Sequence, residues 1–223
     1  LIGVKDGDFS AHVHASIPGK VTALGVDFTS TGQKSQFVEI QFAGSFKNWE
    51  KKNPHWERMP NQSLLNLIEK AGVVGLGGAT FPTHIKLNPN KRINHLVING
   101  AECEPFLTID GRLMQEKAEE LKEAIKIYKK ILNPQSIVVG IENNKEEAIE
   151  ILQRVAQNTF EVMPLKSRYP QGSEKQLVEV TLGFEIPKGK LPFEVGVVVS
   201  NVGTLFAVYE AIIYEKPLYE RLI

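Results

Sequence analysis

From residue 61 onward, apolar side chains alternate between helical spacing and short β-branched runs. No other feature of this chain constrains the fold as much. Leu64, Leu65, Leu67, Ile68 and Ala71 form one helix face, which Gly72 ends. Residues 95–99 then read as a short buried strand around Leu96, Val97 and Ile98. Residues 113–132 predict one long amphipathic helix with Leu121, Ile125, Tyr128 and Leu132 on its apolar side, stopped at Asn133-Pro134. Strands over 136–141, 160–165 and 193–200 follow, separated by helices over 145–156, 172–182 and 202–214. Such alternation specifies an α/β fold, a mostly parallel sheet covered by helices. In that class ligands sit at the carboxyl ends of the strands.

The first 58 residues read differently. Residues 18–24 and 36–42 are strand candidates separated by Gly, Ser and Asp, and the second alternates apolar with polar positions. We expect a small all-β module here. Residues 46–59 are polar and aromatic with Pro54 ahead of Pro60, and read as a connection anchored by Trp49 and Trp56. The expected division is therefore residues 1–58 and residues 59–223.

Bulk composition excludes several classes. Lys+Arg and Asp+Glu both number 26, for a formal net charge of zero. That balance argues against a nucleic-acid binder or strong attachment to anionic lipid. No apolar run approaches the length of a membrane span. Cys103 has no partner for an internal disulfide, and one thiolate cannot hold an iron–sulfur cluster or a cysteine-based zinc site. His12 and His14 alternate along an extended segment, a spacing that fits a structural pair better than a metal site.

Four segments carry chemistry. Residues 75–86 read GLGGATFPTHIK. Gly75, Gly77 and Gly78 permit a backbone that approaches a planar or phosphorylated ligand closely, and Pro82 suits a helix start. The spacing is not that of the GxGxxG dinucleotide fingerprint. The second segment, NGAECEP over residues 99–105, directly follows a strand. Glu102 and Glu104 there suit either ribose hydroxyls or a solvated turn, and Asp110-Gly111-Arg112 suits a turn and cap. The third, YPQGSEKQL over residues 169–177, offers Tyr169, a permissive Gly172, and Ser173 as a cap with Glu174 in the first helical turn. In the fourth, residues 199–205, Asn201 and Thr204 suit a phosphate or ribityl chain, or a cap.

Taken together and in order, these segments resemble the flavin-carrying subunit of respiratory complex I. They resemble still more closely RnfC, the NADH-side subunit of the Rnf electron-transport complex. HASIPGKV at residues 14–21 is similar to the start of that family's barrel-sandwich, lipoyl-like domain. The resemblance covers nearly the whole chain. It implies a small N-terminal β barrel-sandwich module followed by a Rossmann-like FMN-binding domain that exchanges hydride with NAD(H). By position, it places Gly75, Gly77 and Gly78 along the flavin and phosphate, with Lys86 neutralising phosphate charge. Phe81 falls near the nicotinamide and flavin rings. Asn99 and Glu102 are implied as flavin partners, Glu104 as facing NADH, and Tyr169, Gly172 and Glu174 as completing the pocket. Asn201 and Thr204 are implied to hold the ribityl phosphate.

The chain departs from the complex I pattern at Leu76, Ala101, Ser173 and Gly203, where that pattern carries Arg or acidic residues. The family also continues into a β-grasp domain and two four-cysteine motifs for [4Fe–4S] clusters. The expectation is an N-terminal piece limited to flavin chemistry. The implied setting is the cytoplasmic face of a cell membrane, held there by other Rnf subunits. Two alternatives keep the fold: an RnfC-like accessory protein of a soluble reductase such as proline reductase, and a docking module with a degenerate flavin site.

Overall fold

The computed structural model describes residues 1–7, 9–29, 32–46, 48–102 and 107–219. Strands β1 (Gly19–Phe28) and β2 (Lys34–Phe42) form an antiparallel hairpin with an irregularity between Val21 and Ala23. A short 3-10 turn at Trp56–Arg58 leads to helix α1 (Asn61–Lys70) and the four-residue α2 (Thr83–Lys86). Then come β3 (His95–Gly100), α3 (Ile109–Glu116), α4 (Ala118–Leu132), β4 (Ser136–Glu142), α5 (Glu146–Ala156) and β5 (Glu161–Leu165). Helix α6 (Glu174–Leu182), a 3-10 turn, β6 (Val197–Asn201) and α7 (Val202–Ile213) complete the order.

Strands β3 to β6 make one parallel sheet in the order β5-β4-β3-β6. Strands β3, β4 and β6 are buried on both faces, which explains their Val/Ile-rich runs, whereas the edge strand β5 exposes Glu161 and Pro164. Leu96, Ile98, Val139, Ile141 and Val198 point into a large core with α1, α4, α5 and α7. Val97, Val197 and Val199 point the other way, onto Leu177 and Val178 of α6. From β3 the chain winds outward to β4 and β5, then returns through α6 to β6 on the other side. The winding reverses between β3 and β6, and in folds of this class ligands sit at the strands' carboxyl ends at such a reversal. In register, Asn99 lies opposite Asn201 at that edge.

Three sequence expectations need correction. The single helix expected over 113–132 starts earlier, at Ile109, and breaks at Lys117, whose backbone (φ −126°, ψ 29°) is not helical. The residues either side remain strong helix formers, so periodicity alone hides the break. The strand expected from Phe193 begins only at Val197, because Gly196 adopts φ 79° after the Pro192–Val195 turn. Trp56 is buried as an anchor, whereas Trp49 remains 40 % exposed.

The N-terminal module shows its hairpin, with Leu24, Val26 and Phe28 largely exposed. The arm before it folds against the end of α1. Gly3 and Val13 pair as a bridge, Lys5 forms an ion pair with Glu69, and His14 Nε2 donates to Lys70 O at 2.9 Å. Gly72 sits beneath this arm at φ 67°, where an added Cβ would lie 2.2 Å from His12 O. Only glycine fits that crossing.

Inside the large core, the Tyr128 hydroxyl meets Ser200 Oγ at 3.0 Å. This pair ties α4 to β6, and burial raises the Tyr128 pKa. Removing one partner strands the other without water. Ser200→Ala and Tyr128→Phe are each expected to cost about 1–2 kcal/mol, and the double variant less than their sum. Urea denaturation of the four proteins checks this; additive losses would show that the two hydroxyls act independently.

Candidate flavin site

The glycine loop closes on itself at its neck. Val74 and Pro82 bridge, Gly75 N–H donates to Phe81 O at 2.9 Å, and Thr83 N–H donates to Val73 O at 3.0 Å. Its tip, residues 77–80, is exposed. Gly78 adopts φ 101°, and a Cβ placed there would meet only open space. Gly77 packs against Asn201, so an added Cβ would lie 3.3 Å from the Asn201 Cβ. Leu76 N–H donates to Thr204 Oγ1 at 2.8 Å, which fastens the loop to the first turn of α7.

Asn201 is the hub. Its Oδ1 caps α7 by accepting from Gly203 N (2.8 Å) and Thr204 N (3.2 Å). Its Nδ2 donates to Asp110 Oδ2 at 2.6 Å. On the neighbouring strand, Asn99 Nδ2 donates to Gly172 O at 2.9 Å, while Asn99 Oδ1 accepts from Ala101 N at 3.1 Å. Lys86 Nζ reaches Glu174 Oε1 at 2.8 Å and Val199 O at 2.7 Å, joining α2, α6 and β6.

Glu102 turns inward. Its side chain is only 6 % exposed. Its oxygens accept from Asp110 N (2.8 Å) and Gly111 N (3.0 Å), and Lys145 Nζ stands 3.1 Å away. The carboxylate thus satisfies the start of α3. Tyr169 is 77 % exposed. Ser173 occupies the N-cap of α6 without a side-chain bond. Glu104 and Cys103 lie outside the described residues. Among the described residues, no cluster of His, Cys, Asp and Glu could hold a metal ion.

Six of the sequence-predicted residues therefore meet in pairs: Gly77 with Asn201, Lys86 with Glu174, and Asn99 with Gly172; Thr204 meets the loop through Leu76, which the motif reading did not assign to the site. Sequence reasoning misses the importance of Asp110 and Lys145. Asp110 reads as a turn residue because the pattern cannot reveal its distant partner, Asn201. A cavity of about 720 Å³ borders this group, lined by Leu76, Asp110, Asn201 and Phe206 among others.

A family model described as the Nuo51 FMN-binding domain matches residues 68–210. The chain belongs to this FMN-binding domain family. Its full length is 41 % identical to the C subunit of a proton-translocating ferredoxin:NAD(+) oxidoreductase complex from Clostridium ljungdahlii. It is 40 % identical to the corresponding subunit of the sodium-translocating complex from Acetobacterium woodii. These are the complex subunits to which the sequence motifs point. All of this chain aligns with each, covering 50 % and 52 % of their lengths, so it spans about half of these relatives. An NAD+-reducing [NiFe]-hydrogenase structure matches with TM-score 0.60 at 23 % identity, over 69 % of this chain and 30 % of that one. That likeness supports the fold alone, a parallel sheet covered by helices.

Burial raises the Asp110 pKa from 3.8 to about 6, helped by the Glu102 charge and opposed by the Asn201 bond and Lys145. An acid whose pKa is higher in the folded state holds its proton more tightly there. Its favourable contribution is complete below pH 4 and is lost as pH rises through about 6. Asp110→Asn keeps an acceptor for Asn201 and has nothing to ionise. Its stability relative to the native chain is expected to rise by roughly 2 kcal/mol between pH 4 and pH 7. Urea midpoints across that range test it; a constant difference would remove Asp110 as the titrating group.

Proposed function

We propose that this chain is the NADH- and FMN-binding, hydride-transferring module of a membrane-associated complex that couples ferredoxin:NAD oxidoreduction to ion translocation. One observation carries the reading: a glycine loop, fastened by Thr204, sets an exposed backbone beside the Asn99–Asn201 edge of a parallel sheet. The residues fit the cofactor. Gly78 leaves open the space that a Cβ would fill, so a ligand can lie directly on the backbone. FMN, when bound, supplies the hydride acceptor, and hydride exchange with a nicotinamide needs no protein acid or base.

The chain's own residues bind and orient. Gly75, Gly77, Gly78 and Thr204 shape the surface for the flavin and its phosphate. Lys86 supplies positive charge, and Phe81 an aromatic face for the nicotinamide side. Asn99, Asn201 and Gly172 fix the walls of the site, while Tyr169 and Glu174 border its opening. Glu102 acts through the α3 start that it satisfies. The β hairpin's exposed Leu24, Val26 and Phe28 suit one layer of a barrel-sandwich within residues 1–58. The remaining residues, 59–223, form the flavin module. No described helix is long and apolar enough to cross a membrane, which suits a peripheral subunit held by partners. The single cysteine of this chain cannot itself hold the [4Fe–4S] clusters that the resemblance implies.

Fluorescence titration with FMN, followed by anaerobic NADH, tests the reading. Quenching to a stoichiometric endpoint and bleaching of the flavin absorbance are expected. Absence of FMN binding would favour a docking module. Gly78→Val is expected to weaken FMN binding at least about tenfold, since it adds a branched side chain at positive φ where ligand meets backbone. Unchanged affinity would move the flavin elsewhere.

A further inference from the structure

The arm that crosses Gly72 ends in an aromatic ring beside the glycine loop. Phe9 is 75 % exposed, yet its ring centroid stands 5.9 Å from that of Phe81, edge to face with an interplanar angle of 64°. Its carrier is well held. Ile2 N–H and Gly3 N–H both donate to Val13 O, at 2.8 and 3.1 Å, and Val13 N–H donates back to Gly3 O at 2.9 Å. Near the tip, Gly7 turns at φ 75° and Ser10 Oγ donates to Gly7 O at 3.0 Å. The Lys5–Glu69 ion pair and the His14 bond to Lys70 O anchor the arm to the end of α1. From that end the chain runs straight into Val73, Val74 and the glycine loop. The Phe9 ring thus stands on an anchored arm, largely uncovered, with Phe81 as its aromatic neighbour.

We propose that Phe9 forms the outer wall of the dinucleotide subsite, packing against a ring of NAD(H) that enters alongside Phe81. This inference rests on the hydride-transfer reading above. Edge-to-face geometry leaves ring surface open on both phenylalanines, and aromatic contacts of this kind favour offset or tilted partners. The N-terminal module thereby contributes directly to the flavin domain's substrate site. The arm's length and pairing set how far Phe9 reaches over the loop. The nicotinamide and the adenine share the required chemistry, a flat π face.

The test uses the full chain loaded with FMN. NAD+ binding is measured by titration calorimetry, which is silent to redox turnover, and NADH-driven bleaching is followed by stopped flow. Phe9→Ala is expected to raise the NAD+ Kd about three- to tenfold and to leave FMN affinity unchanged. Phe9→Tyr is expected to restore binding, whereas a fold or strap defect would not be rescued by ring identity alone. Nicotinamide mononucleotide separates the two rings: a matching loss identifies the nicotinamide, and an unchanged Kd identifies the adenine. Equal NAD+ Kd values in Phe9→Ala and the native chain would overturn the proposal while leaving the hydride-transfer reading intact. If the native chain binds FMN but NADH never bleaches it, both fall together.

Discussion

The side-chain amide of Asn201 holds the mouth of this molecule together. One carboxamide caps α7 with its oxygen and binds Asp110 with its nitrogen. In the first turn of the helix so capped, Thr204 receives the glycine loop through Leu76 N–H. Sheet edge, helix start, α3 and loop are thus fixed relative to one another through a few short bonds. The bond to Asp110 also settles which way the amide faces, since a reversed Asn201 would oppose its nitrogen to the N–H groups of Gly203 and Thr204. Rigid placement of that kind suits a module whose chemistry depends on orientation more than on acid–base groups.

Much of the fold is legible in the sequence because its signals are local. Val/Ile runs mark β3, β4 and β6, and the 3.6-residue spacing of Leu64, Leu65 and Ile68 marks α1. Lys117 escapes because it is a good helix former with helix on both sides of the break. Gly196 escapes because periodicity in the preceding residues outweighs a single turn glycine. The glycine loop and Asn201 are visible as motifs. Their partners are not: Thr204 lies 128 residues from Leu76, and Asn201 lies 91 from Asp110. Such contacts depend on the winding of the sheet, which residue type alone does not encode.

Charge at the site is arranged more subtly than its formal count suggests. Glu102, Asp110 and Glu142 crowd one side of Lys145, and burial raises the pKa values of the latter two acids. Glu102 accepts two backbone N–H bonds and faces the lysine. One cation therefore serves several acids, so the start of α3 depends on a residue at the start of α5. The α3 and α5 elements are coupled electrostatically as well as by packing.

Lys86 works under a different constraint. Its ammonium already holds Glu174 and the carbonyl of Val199. An anion arriving at this lysine finds the position taken by a carboxylate of the protein itself. What the newcomer gains is the difference between two ion pairs, tempered by the water returned to Glu174. Under the proposed flavin reading, Glu174 would be a resident surrogate for the ligand: it keeps the cation aligned and would limit how tightly a phosphate is retained.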